Sequence, residues 1–196
     1  MAGSLFSALS LLFAPKHAIL DPASAGNRVN NPSFAQISGE PLALSGLTGK
    51  TVLVVNTASR CGFKSQFADL QSLYDDLERE GLVVLAVPSN DFGNQEPCDD
   101  QTVYDAYRSQ LKLTFPVTAK VSIKGEAMHP FFRQIQAIAG ENAVPRWNFY
   151  KYIVAPNGNL AGWFSTPITT NAPLIRELLE TCLEMKPHAT PVSHKV

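Results

Sequence analysis

The chain has 196 residues, 45% hydrophobic and 17% charged, with sixteen basic against seventeen acidic side chains. That length suits one domain with an extra segment, and the balance excludes both wholesale disorder and a basic nucleic-acid surface. The longest uncharged apolar run, residues 5–14, is too short to span a bilayer.

In chain order, the first 30 residues differ from the rest: the apolar run is followed by Lys16, His17 and a Pro/Ala/Ser/Asn-rich stretch. This reads either as a targeting leader, with Ala23-Ser24-Ala25 as an A-x-A cleavage signal, or as a flexible N-terminal segment. The compartment is cytoplasmic or periplasmic accordingly. The main domain is expected over residues 31–186, with a flexible tail over 187–196.

Phe34-Ala35-Gln36 and Leu42-Ala43-Leu44 flank Ser38-Gly39-Glu40-Pro41 and predict a short hairpin. Thr51-Val52-Leu53-Val54-Val55-Asn56 is continuously apolar and β-branched, as in a strand covered on both faces. Phe67, Leu70, Leu73, Tyr74 and Leu77 then recur at helical spacing, and Gly81 suits a C-terminal cap. Residues 82–87 form a second buried strand, completing a βαβ unit.

Asp99 or Asp100 suits the cap of a helix carrying Val103, Ala106, Tyr107 and Leu111. Residues 115–123 read as extended, with Pro116 limiting their pairing. Pro130 suits the first turn of another helix. Pro156-Asn157-Gly158-Asn159 marks a hairpin between two strands, and Asn171 is the expected cap of a last helix. The order predicts an α/β fold: a mixed central sheet flanked by helices, preceded by the short hairpin, as in thioredoxin-like folds.

The three cysteines, Cys61, Cys98 and Cys182, include no C-x-x-C pair, so spacing offers neither a zinc knuckle nor a dithiol. Cys61 lies in Thr57-Ala58-Ser59-Arg60-Cys61-Gly62-Phe63-Lys64, between the first core strand and its helix. Strand C-termini of open α/β sheets collect reactive groups. A helix N-terminus there, with Arg60 and Lys64, favours a thiolate. A second cysteine where Lys64 stands would be needed for dithiol exchange. Cys182 falls on an apolar helix face and reads as core.

Phe92-Gly93-Asn94-Gln95-Glu96-Pro97 follows the second strand, and Trp147-Asn148-Phe149 precedes the late hairpin. Together with Val55-Asn56-Thr57-Ala58-Ser59-Arg60-Cys61-Gly62-Phe63, these segments resemble the glutathione peroxidase family. The form is the one with cysteine in place of selenocysteine, and it looks more bacterial than animal. The resemblance implies a thioredoxin-like peroxidase with a tetrad of Cys61, Gln95, Trp147 and Asn148. In that tetrad Cys61 is the nucleophile and the other three donate hydrogen bonds to its sulfur. It implies reduction of hydrogen peroxide and organic hydroperoxides through a Cys61 sulfenic acid, regenerated by glutathione or thioredoxin, with no metal, haem or other cofactor. The alternative is a peroxide sensor or redox relay that passes oxidation to a partner protein.

The chain departs from that pattern where the reductant is decided. Many cysteine members carry a resolving cysteine on the helix after the Gln-Glu-Pro segment; Tyr107 stands roughly there. Cys98 is either an ordinary loop cysteine or a replacement resolving thiol. Arg60, Lys64, Lys124 and Arg146 are candidate cations for a reductant's carboxylates, or merely solvated charges. The short segment between Ala139 and Arg146 implies a monomer or loose dimer.

Two other patterns fail on context. Ser45-Gly46-Leu47-Thr48-Gly49-Lys50-Thr51 imitates the end of a P-loop but lacks its first glycine and precedes a strand. His17, His129, His188 and His194 show no metal-ligand spacing, and His129 reads as structural at a helix start.

Overall fold

The computed structural model describes residues 16–185. The apolar run at residues 5–14 and the tail at 187–196 lie outside them. The described chain builds one five-stranded sheet in the order β1-β7-β6-β4-β5. Its strands are β1 (His17–Ile19), β4 (Thr51–Thr57), β5 (Leu82–Pro88), β6 (Lys151–Val154) and β7 (Leu160–Phe164). β4 and β5 are parallel, and the remaining pairs are antiparallel. β2 (Ser33–Ala35) and β3 (Pro41–Ala43) form the separate hairpin that the sequence predicts.

Every residue of β4 is buried because helices cover both faces of the sheet. Alternation along the strand splits its side chains: Leu53 and Val55 join a core with α1 (Gln66–Leu77), α2 (Asp100–Ser109) and α4 (Pro173–Glu184). Val52 and Val54 join a second core with Phe131, Phe132 and Ile135 of α3 (Pro130–Ala139). The α1 helix passes into a short turn closed by Gly81 at φ 111°, so the expected left-handed cap is present. Asp99 caps α2, its carboxylate accepting from Thr102 N at 2.8 Å. His129 caps α3 through its ring, which accepts from Phe131 N at 3.2 Å.

Three local expectations change. Residues 115–123 do not form a strand. They make only isolated bridges at Val117 and Thr118, because Pro116 has no N–H to extend a ladder. Asn171 does not cap α4: its side chain donates to Asp69 Oδ1 at 3.0 Å, and Ala172 takes the cap position ahead of Pro173. Proline at the first helical position removes one donor that would otherwise need a cap.

The third concerns residues 16–30, part of the segment expected as a leader or a flexible N-terminal stretch. They carry β1, which pairs with β7, and Val29 is buried. Asn157 and Asn159 of the β6–β7 turn donate to Pro22 O at 2.8 and 2.9 Å, and Asn159 also to Ser24 O at 3.0 Å. The Ala23-Ser24-Ala25 signal therefore lies against the folded hairpin.

Candidate active site

Cys61 stands in the turn between β4 and α1 and is 1% exposed. The turn is held from behind by Glu96, itself 1% exposed. Its carboxylate accepts from Ser59 N at 2.6 Å, Ser59 Oγ at 2.7 Å and Tyr107 Oη at 2.7 Å. No cation is needed, because the three donors satisfy a charge that burial would otherwise penalise. Burial, and then the Glu96 charge, push the Tyr107 phenol well above its ordinary range, so it stays a proton donor. Tyr107, which the sequence places near the missing resolving position, thus ties α2 to the Cys61 turn.

Gln95 and Asn148 come together from separate segments: Asn148 Nδ2 donates to Gln95 Oε1 at 3.0 Å. The backbone joins Gln95 to the cysteine turn, Arg60 N donating to Gln95 O at 3.1 Å. A side chain at Gly93 would meet both Gln95 Nε2 and the Trp147 indole at 3.4 Å, so this glycine lets the two rest against its backbone. Trp147 is half-exposed and Phe92 packs beside it, ring centroids 6.3 Å apart. The Asn148 amide, expected from the sequence to face the sulfur, is thus bonded to its neighbouring amide, a stronger acceptor than a thiol.

The segment 147–150 is hung on the end of β4 by Asn56. Asn56 Nδ2 donates to Trp147 O at 3.1 Å, and its Oδ1 accepts from Tyr150 N at 2.9 Å. Phe149 N donates to Asn56 O at 2.7 Å, with Phe149 itself at φ 66°. Asn56 lay inside a quoted motif, but nothing in the sequence gave it this bracing role.

The four candidate cations separate. Arg60 and Lys64 line a groove of about 470 Å³ that also contains Cys98, and Arg60 Nη2 lies 3.3 Å from Cys98 Sγ. Lys124 instead sits over the Phe92 ring at 4.2 Å and donates to Asp91 O. Arg146 is held by Asn142 Oδ1 at 2.8 Å. Cys182 is fully buried, its thiol pushed up to about 11 by desolvation, and is inert core. Among the described residues no group of His, Cys, Asp or Glu suits a metal ion.

The glutathione peroxidase family model matches residues 30–136. A glutathione peroxidase homolog of Bacillus subtilis, BsaA, is 39% identical over 133 residues, 66% of this chain and 82% of that one. The chain belongs to the glutathione peroxidase family. It is accordingly an oxidoreductase of the peroxidase class. A further member of similar likeness is a hydroperoxy fatty acid reductase of Synechocystis, 36% identical over 70% of this chain and 86% of that one. Among solved structures, T. cruzi GPX1 superposes with a TM-score of 0.61 at 26% identity, covering 77% of this chain and 93% of the other. A thioredoxin-family thiol:disulfide interchange protein from Chlorobium tepidum superposes with a TM-score of 0.58 at 18% identity over 82% and 99%. The fold is thioredoxin-like, as the motifs implied.

Proposed function

We propose that this peroxidase reduces hydrogen peroxide and organic hydroperoxides through Cys61, with Gln95, Trp147 and Asn148 as the donors that activate it. The reading is supported by one arrangement: a buried thiol at the strand-to-helix turn, with Gln95 tied by its carbonyl to the Arg60 N–H of that turn and by its side chain to Asn148. The Cys61 thiolate attacks one peroxide oxygen, the O–O bond breaks, and an S–O bond forms. The leaving oxygen takes a proton and departs as water or an alcohol. Sulfur loses two electrons and becomes a sulfenic acid. An N–H donor aimed at the departing oxygen stabilises its negative charge.

Regeneration begins when a thiol attacks the sulfenic sulfur, expelling water and forming a disulfide. A second thiol then restores Cys61. The helix position of the usual resolving cysteine holds a phenol that cannot do this. Cys98 shares a core with Cys61 and contacts the residue just before it, which supports it as an internal resolving thiol. Arg60 and Lys64 beside it offer a landing place for the carboxylates of glutathione.

Steady-state peroxide consumption by purified protein with glutathione, and separately with thioredoxin, tests the reading. Wild-type turnover should vanish in Cys61→Ser; unchanged turnover in that variant would refute it. Peptide mapping after one equivalent of peroxide should show a Cys61–Cys98 bridge, and its absence leaves external thiols as the resolving agents. Turnover with neither reductant, alongside a mixed disulfide to one protein, would identify a relay instead.

A further inference from the structure

Lys151 is a lone charged residue in an apolar strand, and its side chain is fully buried at the back of the candidate site. Its neighbours across the sheet are Val55 on β4 and Phe164 on β7, neither of which offers a counter-charge. Lys151 Nζ instead donates to Phe149 O at 2.8 Å and lies 3.5 Å from Thr166 O. Gln66 Nε2, from α1, donates to the same Thr166 carbonyl at 3.0 Å. The Thr166 hydroxyl in turn donates to Asn148 O at 2.6 Å. The ammonium therefore grips the backbone on the far side of Asn148, directly at Phe149 and indirectly through Thr166.

The grip falls on a strained point. Phe149 adopts φ 66°, a left-handed conformation that a bulky side chain disfavours. Such a residue persists where its surroundings over-determine it. Asn56 holds the Phe149 N–H and Lys151 holds its carbonyl. The left-handed turn stands between Asn148, whose amide is bonded to Gln95, and β6, which begins at Lys151.

We propose that Lys151 is a positioning residue for peroxide reduction: its buried ammonium locks the left-handed turn at Phe149 that presents Trp147 and Asn148 to Cys61. The inference rests on the reading of Trp147 and Asn148 given above. It also makes the reaction sensitive to the charge on Lys151. Desolvation lowers the ammonium to about 7, opposed by the Asp69 carboxylate on α1. The β7–α4 segment faces Lys151 with the Thr166 carbonyl, and β4 and β7 face it with apolar side chains. Above that pH the nitrogen loses its charge, and with it the stronger, charge-assisted hold on two carbonyls.

The test measures the second-order rate of Cys61 sulfenic acid formation in the reduced full-length chain from pH 5.5 to 9. Trapped sulfenic acid is quantified by mass spectrometry. The wild-type rate should fall above about pH 7. Lys151→Arg, charged throughout, should lose that fall, and Lys151→Met should be at least tenfold slower at pH 6.5. A structural role alone would lower thermal stability without moving the alkaline limb. Wild-type speed in Lys151→Met, or identical pH profiles for wild type and Lys151→Arg, overturns the proposal. If neither variant folds, a wild-type profile with no fall overturns it and a fall supports it. Asn148→Ala and Trp147→Phe separate the two readings. If both react at the wild-type rate, the roles of Trp147 and Asn148 fail. If they are slow while Lys151→Met is not, the lysine inference alone fails.

Discussion

Asn148 Nδ2 donates to Gln95 Oε1 across 3.0 Å, joining residues 53 apart in the chain, and the Gln95 carbonyl in turn accepts from Arg60 N beside Cys61. The bond orients both amides against each other and leaves the Gln95 amide nitrogen beside the Trp147 indole and Gly93. On the proposed reading each of these donors is preorganised before peroxide arrives, which is where electrostatic stabilisation is most effective.

Removing one member of that pair should slow the chemical step without unfolding the protein. Asn148→Ala is expected to lower the rate of Cys61 oxidation by about 10²-fold, typical of losing one preorganised donor. Gln95→Ala should have an effect of similar size, and the double variant should fall well short of their product, because the two act as a unit. Single-turnover oxidation rates with hydrogen peroxide check both statements.

Tyr107→Phe deletes one of three donors to a buried carboxylate. We expect destabilisation of about 1–3 kcal/mol, since Glu96 would be left partly unsatisfied away from water. Urea unfolding of the reduced protein at pH 7 measures it. Glutathione-supported turnover should persist in this variant, because Tyr107 supplies no thiol.

Lys151 has the opposite effect on stability from the one it has on the site. An unfolded lysine titrates near 10.5 and this one near 7 when folded. Between those values the unfolded chain binds the extra proton, so stability rises with pH by at most about 1.4 kcal/mol per unit. Below about pH 7 both states are protonated and the burial penalty is fully felt. Urea midpoints at pH 7 and 9 should therefore rise more in wild type than in Lys151→Met. The same increase in pH that stabilises the fold should slow the chemistry.

Gly162 lies in β7 where the sheet, β1 and α4 meet. A methyl group there would come within 2.8 Å of Leu178 Cδ2 and 2.9 Å of the Ala18 carbonyl. The leucine can turn aside, but the backbone oxygen cannot without opening the β1–β7 ladder. Gly162→Ala should cost about 1–3 kcal/mol, the usual scale of overpacking, and lower Tm accordingly.

Much of this architecture was legible in the residues. The β4-α1-β5 unit followed from a continuous apolar run, a 3.6-residue period and a glycine stop. The late hairpin followed from its Asn-Gly turn. Three short motifs were enough to propose Cys61, Gln95, Trp147 and Asn148 together, and the structure joins Gln95 to Asn148 and to the cysteine turn. What escaped was decided by long-range neighbours. The strand at His17–Ile19 looks like part of a leader until β7 is seen to have an open edge beside it. Asn171 has the chemistry of a cap, but Asp69 offers it a partner 102 residues away. Lys151 was visible as the only charge between Tyr150 and Ala155, but its grip on Phe149 depends on a backbone angle no spacing discloses.

The phenol of Tyr107 also bears on how much the protein must move as it works. A resolving cysteine on this helix would have to meet the Cys61 sulfur in every cycle. Here the helix is bolted to the cysteine loop through Glu96, and nothing on it has to travel. Oxidised and reduced protein should therefore share one α2, with amide exchange along Asp100–Ser109 indifferent to redox state. Whichever thiol resolves the oxidised sulfur, Cys98 or an external one, would then do so without this helix refolding.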